Sequence, residues 1–341
     1  MLDDLKYIHI HDPQDALGIS EKQSQQLKVE FDINAKQTTV NNVVLAGMGG
    51  SALAGLITQK WLDLPVPMEI VRDYTLPAYV SDATLFIASS YSGNTEETLH
   101  ALVEAEAKGA NIIIIASDGE LTKFAQDKGY PTLKLPVGYQ PRYATLFTLK
   151  ALAKIFDSYN LSNKATDLLV SRQEFIDQTA AKLRPDVPTK ENKAKQIALE
   201  LVGKSIVVYS GPLLYPVAYK WKINFNEDAK HLAWVNQYPE FNHNEFLGWT
   251  KQPVDKPYAV IDLRSNLDIE HIRKRFELTE KLLSGLRPSP IVVSAEGSNL
   301  LDQLLWTLVL GDFVSLYLAL LNGINPTPVD MIEEFKHELA E

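Results

Sequence analysis

The sequence predicts an α/β protein of doubly wound parallel sheets, present as two copies of one domain. Three observations carry this. Short apolar, β-branched runs end in Gly/Ser turns that open into helical stretches. That succession occurs twice in each half of the chain, in the same order. A length of 341 residues is also more than a single core usually serves.

In the first half, Asn42–Ala46 (NVVLA) is such a run. It ends in Gly47-Met48-Gly49-Gly50-Ser51, and Ala52–Leu62 reads as a helix. Thr84–Ser89 (TLFIAS) follows, ending in Ser90-Tyr91-Ser92-Gly93-Asn94-Thr95, with a helix over Glu96–Lys108 and a further strand over Asn111–Ser117. The second half repeats the plan. Ser205–Tyr209 leads through Ser210-Gly211-Pro212 into a helix reaching Asn226, and Pro290–Ser294 leads through Ala295–Asn299 into a long helix. The stretch Lys150–Lys204 is largely helical in pattern, broken at Pro185 and Pro188. The division is placed at 1–155 and 156–341. After Gly323, Asn325-Pro326-Thr327-Pro328 starts a last helix, Val329–Leu339, because proline sits well at helix starts.

Composition narrows the function classes. Hydrophobic residues make up 45% and charged residues 22%, as in ordinary globular enzymes. The formal net charge is −10 and no Lys/Arg block stands out, so neither a nucleic acid nor an anionic membrane is expected as a partner. Phosphate remains open, since amides and hydroxyls hold it without net positive charge. With no cysteine, disulfides, thiolate nucleophiles and cysteine-ligated metals are excluded. The N-terminus has no signal-like apolar run, and Asp302, Gln303 and Asp312 interrupt the apolar stretch Leu300–Leu321, which reads as a buried helix. A cytoplasmic location is expected.

In a parallel α/β sheet, ligands gather where strands end and helices begin. The first turn offers Gly50 and Ser51 at a helix start, and the second offers Ser90, Ser92 and Thr95 around Gly93. A phosphate monoester carries about −1.5 to −2 charge, which helix-start amides and hydroxyls suit. Two other readings stay open. Asn94 or Ser92 serves as a helix cap, with Glu97 closing a capping-box-like pair. Alternatively, Gly47-x-Gly49-x-x-Ala52 is a dinucleotide fingerprint, with Glu69 or Asp73 at a suitable distance for a ribose.

The densest polar cluster lies in the second half: Asn226-Glu227-Asp228-Ala229-Lys230, then Glu240-Phe241-Asn242-His243-Asn244-Glu245. Glu227 follows a helix bearing Tyr219, Trp221, Ile223 and Phe225, so partial burial makes it a candidate general base. His243, flanked by asparagines, is a candidate proton shuttle. A solvated helix-end charge and a loop hydrogen-bonder are the alternatives for this pair. Neither HExxH nor Cys/His zinc spacing is present, and no GxSxG follows a strand, so neither a metal site nor a serine hydrolase is expected.

The runs GMGGSALAG (47–55), SSYSGNTEET (89–98) and PEFNHNE (239–245) together resemble the bifunctional phosphoglucose/phosphomannose isomerases, which are built from two sugar-isomerase (SIS) domains. Pro141-Arg142, the tail Asn325-Pro326-Thr327-Pro328-Val329 and Phe335-Lys336 fit the same pattern. The resemblance implies two flavodoxin-like SIS domains. It also implies metal-independent aldose–ketose isomerisation of glucose 6-phosphate, and of mannose 6-phosphate, to fructose 6-phosphate, without a cofactor. It assigns Ser51, Ser90, Ser92 and Thr95 to the sugar phosphate, with Gly50 giving close backbone approach. It makes Glu227 the base between C2 and C1, and Arg142 the cation facing the enediolate. It gives ring opening to His243 and Lys336, with His243 reaching the site from the partner subunit of a homodimer. The alternative from another class is a non-catalytic SIS-type sensor of sugar phosphates, which needs only the Ser/Thr loops.

Overall fold

The computed structural model of the protein describes residues 1–33, 38–251 and 257–340. The chain forms two compact units: Gln23–Glu174, and Met1–Lys22 together with Phe175–Glu341. The N-terminal segment therefore groups with the second half, where the division at 1–155 had placed it with the first. Its two short helices, α1 (Leu5–His11) and α2 (Ala16–Glu21), are tied there by side chains. Tyr7 OH donates to Leu320 O at 2.7 Å, and Lys195 Nζ lies 3.0 Å from Asp3 Oδ1.

In the unit Gln23–Glu174, five strands form one parallel sheet: β1 (Asn42–Ala46), β2 (Met68–Val71), β3 (Thr84–Ser89), β4 (Asn111–Ala116) and β5 (Thr132–Lys134). Their order is β2-β1-β3-β4-β5. Every residue of the central β3 is buried, which explains its unbroken apolar run. The strands pair in register, Leu45 beside Ile87 and Ile87 beside Ile113. The helices are α3 (Gly49–Trp61), α4 (Glu96–Ala107), α5 (Glu120–Lys128), α6 (Thr145–Ser158) and α7 (Ala165–Val170). In this flavodoxin-like order the crevice for a ligand lies where the winding reverses, between the ends of β1 and β3.

After α8 (Gln173–Ala181) and α9 (Lys193–Leu201), the second unit holds β6 (Ser205–Ser210), β7 (Ala233–Gln237), β8 (Tyr258–Arg264) and β9 (Ile291–Ser294). They are parallel in the order β7-β6-β8-β9, the first plan short of its last strand. The helices here are α10 (Tyr215–Glu227), α11 (Glu245–Gly248), α12 (Glu270–Leu282), α13 (Leu300–Leu321) and α14 (Asp330–Ala340). Among the described residues, α13 alone is long and apolar enough to cross a membrane. However, 94% of its apolar window is buried inside the protein, as a core helix requires. Trp221 of α10 is fully buried and donates its Nε1–H to Thr307 O of α13 at 2.8 Å.

Candidate active site

The two Gly/Ser turns of the first unit meet at its switch point. The helix α3 begins at Gly49, earlier than the expected Ala52, so Gly50 and Ser51 lie in its first turn. Ser51 is buried, and its Oγ accepts the amide hydrogen of Tyr91 at 3.1 Å, joining the loop after β1 to the loop after β3. Ser90 Oγ lies 2.7 Å from Thr95 Oγ1 and 3.5 Å from Ser92 Oγ, and accepts from Gly93 N at 3.1 Å. Burial grades along this row: Ser90 is buried, Thr95 half-buried and Ser92 exposed. The hydroxyls thus run from the protein interior to solvent.

Neither α3 nor α4 has a side chain capping its first turn. Asn94, weighed as a cap for α4, instead accepts from Glu120 N of α5 at 2.9 Å, and Ser92 Oγ accepts from Asn94 N at 3.3 Å. Two sets of helix-start amides, with the positive ends of their dipoles, therefore flank the hydroxyl row. That is a binding arrangement for an anion. The dinucleotide alternative loses one of its two candidate ribose contacts, because the Glu69 carboxylate is held by the Tyr79 hydroxyl, while Asp73 stays exposed.

Arg142 reaches the same place by a close backbone approach. It lies on a 3-10 turn, Pro141–Tyr143, with the side chain only 2% exposed. A Cβ on Gly50 would stand 2.9 Å from Pro141 O and 3.3 Å from Arg142 N, so only glycine lets this turn cross the start of α3. The guanidinium carbon is 4.6 Å from the centre of the Tyr143 ring. The turn is braced from behind by Gln26, whose Nε2 donates to Tyr143 O at 2.5 Å and whose Oε1 accepts from Phe147 N at 3.1 Å. Gly50, Ser51, Ser90, Ser92, Thr95 and Arg142 are thus brought together within one unit.

Glu227, His243 and Lys336 stand on three separate elements of the second unit. Glu227 is the last residue of α10 and is half-buried. Beneath it, Lys220 Nζ lies 2.7 Å from Asp312 Oδ1, and Asn224 donates to the same oxygen at 2.7 Å. Lys220 and Asp312 are buried, and burial raises the Asp312 carboxyl above its ordinary value. This polar seam ties α10, which carries Glu227, to α13 and was not anticipated from sequence. The signal was there in the spacing of Lys220, Asn224 and Glu227, which share one helix face.

His243 ends a 3-10 turn, Glu240–His243, and is exposed, with no hydrogen bond to its imidazole among the described residues. Its neighbours are clamped. Asn242 donates to Thr279 Oγ1 at 3.0 Å and accepts from Arg275 Nη1 at 3.0 Å. On the other side, Glu245 accepts from Tyr209 OH and from Asn236 Nδ2, and Trp249 donates to Tyr209 OH at 2.9 Å. The imidazole is therefore presented outward from a fixed base. Lys336 lies exposed on α14, where its ammonium pairs with Glu333 at 2.7 Å and not with Glu227 or His243.

Two parallel α/β units, one with hydroxyls and uncapped helix starts at its switch point, define a two-domain sugar-isomerase (SIS) protein. Residues 38–128 match the SIS domain family, and residues 190–339 match the family described as "Bacterial phospho-glucose isomerase C-terminal SIS domain". The chain belongs to the bifunctional phosphoglucose/phosphomannose isomerase family. It is 34% identical over 325 residues to the bifunctional phosphoglucose/phosphomannose isomerase of Caldicellulosiruptor bescii, covering 94% of this chain and 96% of that one. It is also 34% identical over 258 residues to the D-glucosamine-6-phosphate 4-epimerase of Sulfolobus acidocaldarius, covering 73% and 79% of the two chains. The crystal structure of a glucose-6-phosphate isomerase like protein from Thermus thermophilus shares the fold, with a TM-score of 0.68 at 18% identity over 98% of each chain.

Proposed function

We propose that this protein interconverts glucose 6-phosphate and mannose 6-phosphate with fructose 6-phosphate, without a metal ion, as a cytoplasmic homodimer. The observation that carries the reading is the hydroxyl row Ser90–Thr95 joined to Ser51 at the switch point, with Arg142 buried against Gly50 beside it. The family to which the chain belongs supports the chemistry. The sensor reading is not favoured, since the two relatives named above carry the names of enzymes.

In this mechanism the phosphate sits on Ser51, Ser90, Ser92, Thr95 and the helix-start amides. His243 of the partner subunit takes the C1 hydroxyl proton while Lys336 gives a proton to the ring oxygen, which opens the sugar. Glu227 removes the C2 proton, giving a planar cis-enediolate whose charge faces Arg142, and returns the proton to C1 as the O2 hydroxyl proton passes to O1, which leaves the ketose. Positioned acid–base groups each contribute about 10²–10⁴-fold, and a fixed cation at the developing charge lowers the barrier further. Planarity at C2 makes one intermediate common to both aldoses.

The test is formation of fructose 6-phosphate from each aldose phosphate in a coupled assay with chelator present. Turnover of both supports the reading. Failure with both overturns it, and a loss of turnover caused by the chelator overturns the metal-free mechanism. A 4-epimerase would instead invert C4 of an aminosugar phosphate and release no ketose.

A further inference from the structure

Lys230 has no part in the mechanism above, yet it joins two pieces of the proposed site. It lies three residues past the end of α10, at φ 48°, a left-handed conformation that L residues seldom adopt. Its ammonium donates to Glu227 O at 2.8 Å and lies 3.4 Å from Asp228 O. On its other side it reaches Asn325 O at 3.2 Å and Pro326 O at 3.1 Å. An ammonium has three N–H donors, so four carbonyls within 3.4 Å more than fill its capacity. Glu227 and Asp228 contribute carbonyls from the negative end of a helix, where a cation is favourable. The other two carbonyls belong to the loop between α13 and α14.

That loop is fixed independently. Asn325 Nδ2 donates to Gln14 Oε1 at 3.0 Å, and Asn325 Oδ1 accepts from Thr327 N at 3.1 Å. A helix cap alone would need only the first pair of carbonyls. The second pair makes Lys230 a bridge from Glu227 to the segment that runs through Thr327 into α14 and Lys336.

We propose that Lys230 is a positioning residue for both epimers. It holds the Glu227 backbone, from which the carboxylate projects, and the Asn325–Pro326 backbone in one fixed relation, so that the base meets C2 of either sugar at the same point. This rests on Glu227 being the base.

The experiment compares Lys230→Met and Lys230→Arg with wild type in the full chain. It measures kcat and KM on glucose and mannose 6-phosphates, and the primary isotope effect with C2-deuterated sugar. A misplaced base costs the chemical step, so kcat should fall about 10- to 100-fold in Lys230→Met, with KM within about three-fold. The isotope effect should rise, the circular dichroism spectrum should match wild type, and Lys230→Arg should recover part of kcat. Wild-type kcat in Lys230→Met, or a fall in kcat with an unchanged isotope effect, would overturn the proposal. If that variant does not fold, Lys230→Gln is judged by the same criteria. A wild type that turns over neither sugar would instead overturn the isomerase reading on which the proposal stands.

Discussion

Gly50 is the residue on which the proposed anion site turns, because its missing side chain admits the Pro141–Arg142 backbone. Gly50→Ala places a methyl 2.9 Å from a carbonyl oxygen that cannot rotate away. The turn must retreat and carry the Arg142 side chain with it. A displacement of that kind should lower kcat by about ten-fold or more while the helical content stays unchanged. Wild-type kinetics in Gly50→Ala would remove Arg142 from the mechanism. At this scale the sequence made the hydroxyls of Ser51, Ser90, Ser92 and Thr95 legible, because they cluster in two short turns. It could not show Arg142 meeting Gly50, or Glu245 meeting Tyr209, because such contacts join residues distant in the chain and leave no local pattern. Lys230 was visible as part of a polar cluster, but its bridging role depends on two carbonyls of a distant loop.

Two strands with both faces covered were legible to the residue, and short or charge-bearing strands were not. The expected spans of β1 and β3 coincide with those observed, since buried parallel strands read as continuous apolar runs. At an edge, β2 carries an exposed Glu69, and β5 is only three residues long, too short for a periodicity to register. β8 was obscured by Asp262, a fully buried carboxylate whose pKa burial raises and which Arg264 engages at 3.0 Å. Helix α7 depends on a cap from outside itself. Asp157 of α6 accepts from Ala165 N at 3.0 Å, from Thr166 N at 2.9 Å and from Ser162 Oγ at 2.7 Å. Partial burial works to raise the Asp157 carboxyl, but these hydrogen bonds outweigh it and hold the group below its ordinary 3.8. Its contribution to stability is therefore present above that value and is lost as pH falls through it toward the lower folded value. Asp157→Ala should cost about 1 kcal/mol near neutrality, and thermal melts should show the gap from wild type closing in acid. A gap that persists or widens below pH 3.8 would contradict the cap.

At the scale of the whole molecule, the duplication is unequal. The switch point of the first sheet carries hydroxyls, but that of the second is occupied by a carboxylate: a Cβ on Gly211 would stand 2.2 Å from Asp268 Oδ2. An anion would be repelled there, and in the proposed mechanism the second unit supplies acid–base groups. His243, which we propose acts in the partner subunit's site, is exposed on its clamped turn, as that role requires. Glu227→Gln and His243→Ala should each be inactive alone. Mixed after subunit exchange they should recover about a quarter of the wild-type sites, since half the dimers are mixed and each of these has one intact site. No recovery in an exchanging dimer would place His243 in its own subunit's site. The central claim, that Glu227 moves a proton between C2 and C1, is tested most directly by proton NMR of glucose 6-phosphate turned over in D₂O. Wild type should place deuterium at C1 of the ketose and C2 of the recovered aldose, and Glu227→Gln should show neither turnover nor exchange. Turnover that leaves both carbons fully protonated, or normal exchange in Glu227→Gln, would contradict it.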